Sequence, residues 1–519
     1  MSTMTDSCLR TANTAEEHGT SPTATLHHDN HPPDASRYVA QDMSTHPNPN
    51  EKADVGEHTN ILVVDWDSPD DPRIQKSSWS FRRKWAATAI VSGFTFITPV
   101  SSSMVAPATG QLAAEFGIHS SAIIAFTTSI FVLAFGNEIY GRSRVLQLAN
   151  LWYLVWNLVC GFAQNEPQLL GFRFLAGLGG SAPLAIGGGV LGDCWHPEER
   201  GKAIALYSLA PLLGPVIGPT AGAWIAERST WRWVFWSTSI VDAAIQVLGL
   251  FFLQETYAPL LLERKAKTIR LSMDVEKAPH KAVRTIFDGK QDHSWSAIMT
   301  KSLVRPFTLF AQEPIIQLLG VYMAYLYGLL YLFLTTIPSI FEGVYEQPVG
   351  IAGLHYIALG VGLTGASQLN AGTMDKIYVH LKSKNGGVGK PEFRLPSMFV
   401  GTVLLPIGLL ITGWTVEAHA HWIAPDIGIA LVGAGVILNF QSIIYCLLVF
   451  VGTALAAVAF LRSLAGCGFP LFAPAMYSAL GYGKGDTVLA AVAIVIGCPA
   501  PWVFWRFGER IRNASRHAR

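Results

Sequence analysis

The chain has 519 residues, of which 50% are hydrophobic and 14% charged, with 37 Lys and Arg against 36 Asp and Glu. Together with a mean hydropathy of +0.33, so few charges exclude an ordinary soluble domain, which needs about one quarter charged residues to face water. The balanced charge offers no basic excess for nucleic acid. The six scattered cysteines, with no Cys-x-x-Cys pair, supply neither a zinc site nor a disulfide framework.

Residues 1–84 are polar, rich in His, Pro, Ser, Thr and Asp, and read as a disordered cytoplasmic tail. Its histidines (His18, His27, His28, His31, His46 and His58) are irregularly spaced among Pro and Asn, which favours an unstructured segment over a metal site. The first apolar run begins near Trp85, too late for a signal peptide. A bilayer core needs roughly 20 apolar residues per helix. That length places spans at 85–107, 122–136, 146–164, 169–191, 203–226 and 232–253, and then at 314–340, 350–370, 396–415, 422–441, 450–480 and 486–505.

The expected fold class is therefore all-α and polytopic, with about twelve transmembrane helices in two six-helix bundles. The bundles occupy 85–253 and 314–508, a cytoplasmic loop at 254–313 joins them, and a short cytoplasmic tail follows at 509–519. Doubling of this kind is the architecture of secondary transporters, with the substrate path between the repeats. Lys and Arg number 32 on the side of the N-terminus and 3 on the other (Arg228, Arg232 and Lys484). The positive-inside rule then makes both termini cytoplasmic. On that side the sequon Asn513-Ala514-Ser515 is expected to stay unused.

The remaining two basic residues, Arg173 and Arg462, lie inside spans four and eleven. A cation there costs several kcal/mol unless it is paired or reaches water. Arg173 is open to a proton or substrate role and also to snorkelling from near the outer surface. Arg462 is set deeper and faces a cavity or a structural partner. Asp242 in span six and Asp426 at the start of span ten are weaker candidates for carrying a proton.

Span five holds Pro211, Gly214, Pro215, Gly218, Pro219 and Gly222. The glycines recur every four residues on one helix face, where they let a neighbouring backbone approach closely. The prolines form an adjacent stripe, each removing a backbone donor and bending the helix. Tight packing alone and a moving part remain equal alternatives at this level. At the end of span two, Glu138-Ile-Tyr140-Gly141-Arg142 puts acid and base at i,i+4, close enough to pair locally.

Several of these segments resemble one family. Gly214-Pro215-x-x-Gly218-Pro219 in a fifth span is similar to the antiporter motif of proton-coupled drug exporters in the major facilitator superfamily. Gly192-Asp193-Cys-Trp195-His-Pro197-Glu198-Glu199-Arg200-Gly201, Trp231-Arg232-Trp233, Glu255-Thr256-Tyr257 and Val64-Asp65-Trp66-Asp67 resemble the fungal twelve-helix drug:proton antiporters. So do Phe469-Pro470 and Gly481-Tyr-Gly483-Lys484-Gly485-Asp486, and the likeness covers 62–519.

The resemblance implies the superfamily fold and proton-driven efflux of small hydrophobic compounds from the plasma membrane. It gives Arg173 a part in proton coupling, and gives Glu138, Gly141 and Arg142 a part in latching the cytoplasmic side. The implied partners are a small-molecule substrate, protons and the lipid bilayer, with the chain acting as a monomer and without a cofactor. The chain departs from the family pattern in a second span of only about 14 apolar residues, Ile123 to Asn137, and in Ser143, where relatives carry a base. It departs again at Ile444–Val449, where they carry a polar turn. A polyamine or nutrient permease, or a non-transporting paralogue, are the alternative readings. No nucleophile–base set, metal cluster or phosphate loop supports an enzyme or an ATP-driven pump.

Overall fold

The computed structural model describes residues 61–66, 79–118, 120–133, 142–196, 199–275, 282–286, 304, 307–308, 310–387, 390–450 and 452–514. The first half contains α1 (Phe81–Ser103), α2 (Ser121–Ser129, ending in the 3-10 turn Ile130–Leu133) and α3 (Ser143–Cys160). It continues with α4 (Glu166–Gly180, resumed as Ala182–Cys194), α5 (Arg200–Arg228) and α6 (Arg232–Phe252). The second half contains α7 (Pro314–Pro338, closed by the π turn Ser339–Val344), α8 (Tyr356–Lys384), α9 (Pro396–Glu417) and α10 (Ile423–Phe450). The stretch Gly452–Gly497 completes it, divided by Gly481 into α11 and α12. Gly481 has φ 77, which glycine adopts without strain, and a side chain there would also run into the Glu417 carboxylate.

Among the described residues, nine helical stretches are long and apolar enough to cross a bilayer. Three local facts reconcile that number with twelve spans. α2 is described only as far as Leu133, and α11 and α12 run together as one stretch. α3 carries Gln147, Asn150 and Asn157, whose partners lie on α6. Low apolarity in α3 thus reflects buried polar contacts rather than a surface position.

Several sequence boundaries move. Residues 61–64 of the expected tail form strand β1 (Ile61–Val64), which pairs in parallel with β2 (Ala282–Thr285) of the expected loop. Val64 packs on Ala266 of a surface helix, Ala258–Val275, and Lys265 Nζ donates to Asp65 O at 2.7 Å. The central connection is therefore partly structured. α10 runs to Phe450, well past 441, because nothing polar interrupts it after Ser442. The expected twelfth span to 505 instead ends at Gly497, and a separate helix, Pro499–Ala514, begins at the proline.

Lipid offers little hydrophobic drive for joining helices, so close contact and polar pairs must do it. In the second half, Gly408 of α9 lies on the Val432 backbone of α10, while Gly428 of α10 lies on the Thr412 backbone of α9. Around this seam a core of Leu326, Phe333, Phe341, Tyr356, Leu405 and Leu409 is fully packed.

Candidate functional site

Arg142 begins α3 at the end of the bundle where Phe81 also lies. Its Nη1 donates to Asp193 Oδ2 of α4 at 2.7 Å, and its backbone N–H donates to Glu255 Oε1 at 2.9 Å. Glu255, just past α6, also accepts from the N–H groups of Thr256 and Tyr257. Ser143 Oγ ties the same turn to Leu253 O at 2.9 Å. Three span ends are thus knotted at one point, through two carboxylates far away in sequence. Glu138 and Gly141 lie outside the described residues, so the local Glu138–Arg142 pair has no counterpart on which to judge it.

α5 remains a continuous helix through Pro211, Pro215 and Pro219. Its glycine face lies on α1. A Cβ added at Gly218 would sit 2.6 Å from Ser103 Oγ and Val100 O, and one at Gly214 would sit 2.5 Å from Pro99 Cβ. At Gly222 it would strike the Met104 carbonyl. The opposite face meets the second bundle. There Val216 fills the space over Gly360, Ala223 sits on Gly353, and Thr220 Oγ1 donates to Gly353 O at 3.0 Å. The Glu227 carboxylate accepts from the N–H of Gly350.

Arg173 is only 1% exposed, so it does not snorkel. Its Nη2 donates to Ser102 O at 3.2 Å and Thr128 O at 3.0 Å, and the guanidinium lies over the rings of Phe131 and Phe235 at 5.5 and 5.6 Å. Its Nε and Nη1 have no hydrogen-bond partner among the described residues. Ser102, whose carbonyl holds Arg173, uses its hydroxyl on Tyr331 of α7 at 2.9 Å. Tyr331 in turn lies 5.0 Å from Tyr327, and Arg462 of α11 stacks over Tyr327 at 4.7 Å and Phe440 at 5.6 Å. Arg462 Nε is also buried without a partner. The two intramembrane arginines therefore approach one tyrosine pair from opposite bundles.

Asp242 of α6 is fully buried, with Asn150 Nδ2 donating to its oxygens at 3.0 and 3.2 Å. Asn150 also donates to Gln246 Oε1 at 2.9 Å. Tyr153, one turn along α3, feels both the Asp242 carboxylate and the Arg173 guanidinium. Among the described residues no cation pairs with Asp242.

Sequence reasoning passed over Asn150, Asn157, Tyr153, Tyr327 and Tyr331. The asparagines did carry a signal, as amides at seven-residue spacing on one face of a span. It also passed over the chemistry of Asp486, which is 2% exposed and accepts from Tyr477 OH at 2.6 Å. Asp426 does not face the central site. It holds His355 Nδ1 at 2.9 Å, while His355 Nε2 meets Gln347 Oε1 at 2.7 Å.

The sequence profile of the Major Facilitator Superfamily matches residues 91–470. The chain is 45% identical to the efflux pump vrtL of Penicillium aethiopicum over 88% of its own length and 91% of the relative's. It is 35% identical to the efflux pump radE of Floropilus chiversii, covering 92% of each. Among solved structures, a D-xylose-proton symporter superposes with a TM-score of 0.59 at 15% identity, over 82% of this chain and 97% of that one, a likeness of fold alone. The chain belongs to the major facilitator superfamily, among its efflux-type transporters.

Proposed function

We propose that this efflux-type transporter expels small hydrophobic organic molecules in exchange for protons, with Asp242 as a proton carrier and Arg173 responding to its charge. The carrying observation is a carboxylate buried inside a span with amide partners and, among the described residues, no cation. An acid in that position is a proton-relay candidate, because its neutral form is the one a membrane interior tolerates. Protonation of Asp242 changes the field at Tyr153, which also feels Arg173, and Arg173 holds the Ser102 carbonyl at the junction of the bundles. The polarity of the site and the efflux-pump relatives both support a transporter rather than an enzyme.

The 32-to-3 distribution of basic residues supports cytoplasmic termini. In that orientation the α5–α8 contact closes the outer end, and the Arg142 knot lies at the cytoplasmic end. Plasma-membrane residence and a monomeric state complete the proposal. Its test is efflux of a fluorescent lipophilic compound from expressing cells. A protonophore should raise accumulation, and Asp242→Asn should abolish the response to the gradient while the protein still reaches the membrane. Efflux that follows ATP and ignores the protonophore overturns it.

A further inference from the structure

The centre of the molecule is electropositive and aromatic. Arg173 comes from one bundle and Arg462 from the other, and Tyr331 lies within electrostatic reach of both. Neither guanidinium forms an ion pair among the described residues. Three of their N–H-bearing atoms, Arg173 Nε and Nη1 and Arg462 Nε, are buried without an acceptor among the described residues. The surroundings do not offer one: Arg173 is held by two backbone carbonyls and faces ring planes, and Arg462 faces ring planes too.

One fully buried cation and one half-buried cation, both with unmet donors, are a costly arrangement for a membrane interior. Backbone carbonyls and ring faces lower that cost without cancelling the charge. What remains unmatched is negative charge presented on planar oxygens, which the guanidinium fork accepts in two parallel hydrogen bonds. The rings of Tyr327 and Phe440, already under Arg462, add flat apolar faces beside the cation. A cationic substrate would be repelled here, and a neutral one could accept hydrogen bonds but would leave the positive charge unbalanced.

We infer that the molecules exported are aromatic organic acids, bound as anions between Arg173 and Arg462. The inference names the substrate class of the efflux site proposed above and rests on that site being the transport pathway. It also agrees with the energetics of exchange. An anion leaving and a proton entering both carry positive charge inward, so an inside-negative membrane potential drives the cycle along with the proton gradient.

The test is equilibrium binding to the purified full-length protein, with no gradient present, using naphthalene-2-carboxylate, its methyl ester and tetraphenylphosphonium as probes. The carboxylate should bind at least about tenfold more tightly than the ester, the scale of a charge-assisted pair in a desolvated site. Arg462→Gln should remove that margin and leave the ester unchanged, while Arg462→Lys should restore part of it. Arg173→Lys, which keeps the charge but loses the fork, should weaken the carboxylate selectively. Equal binding of acid and ester, a preference for the cation, or an acid affinity indifferent to Arg462→Gln would each overturn the inference. Because binding is measured without a gradient, a carboxylate preference in a protein that shows no proton-dependent flux would sink the antiport mechanism and leave the binding site standing.

Discussion

The two faces of α5 are built from the same device, turned opposite ways. Toward α1, in its own bundle, α5 contributes the glycines, and the α1 backbone lies on Gly214, Gly218 and Gly222 over successive turns. Toward the other bundle the glycines belong to the segment 350–360, and α5 contributes Val216, Thr220, Ala223 and Glu227. The first face is backbone against backbone. The second is small side chains, one hydroxyl and one carboxylate meeting a glycine-lined helix start. The difference separates a contact that holds a bundle together from one that can be undone. Rocking of one bundle against the other needs both kinds, a rigid interior and a parting surface.

The largest expected effect comes from breaking the first face. Gly218→Leu would drive a side chain into Ser103 Oγ and the Val100 carbonyl. An overpacked core loses about 1–3 kcal/mol, and a backbone contact gives least. The variant should lower the melting temperature and the amount delivered to the membrane. Normal delivery with normal stability would mean the glycine face is not a fixed contact.

Gly353→Leu attacks the second face, where Ala223 sits. Here the bundles can separate, so the protein should fold and reach the membrane but fail to seal that end. Labelling of a cysteine introduced at Val216, which packs over Gly360 on the same face, by a membrane-impermeant reagent should rise several-fold. Unchanged labelling would show that the bundles part elsewhere.

Smaller again is Arg142→Ala, which removes the pair with Asp193 at a half-exposed site. It should cost about 1 kcal/mol, the upper range for such pairs. The loss should appear as faster proteolysis after α4, and high salt should shrink the difference between variant and parent. The smallest effect is Thr220→Val, which removes one hydrogen bond to Gly353 O. A shift of about 0.5 kcal/mol in the sealing equilibrium is expected, the low end for one hydrogen bond, read as a modest rise in the same cysteine labelling with stability unchanged.

The glycine spacing in span five was legible because a four-residue period survives in any helix, whatever surrounds it. Which helix lies on it was not, since Pro99 and Gly214 are brought together only by the bundle. The same limit applies to Arg142. Its sequence neighbourhood suggested Glu138, four residues away, whereas the described partners, Asp193 and Glu255, are distant in the chain. Hydropathy placed a span at 146–164, over α3, even though Asn150 and Asn157 lower its apolar average; that they do so because they serve buried partners on α6 was not visible in the sequence. The strand pair Ile61–Val64 with Ala282–Thr285 was invisible for a related reason: two four-residue segments acquire meaning only as a pair. Arg173 and Arg462 stood out as charges within apolar runs. The tyrosines between them did not, because a tyrosine in a membrane span is ordinary until its hydroxyl has a partner in the other bundle.

The two faces of α5 imply that α1 and α5 move as one body while α5 and α8 separate. Spin labels on exposed Gly110, in the short helix Thr109–Phe116 that follows α1, and on Arg228 report the first distance, and labels on Arg228 and on Ile351, in the short helix Val349–Ala352 that leads into α8, report the second. Both are measured by pulsed electron resonance, in a cysteine-free background, across a change of pH and addition of an exported compound. The second distance distribution should broaden or shift by several ångströms while the first stays fixed. A first distance that shifts as far as the second would mean that α1 and α5 do not move together.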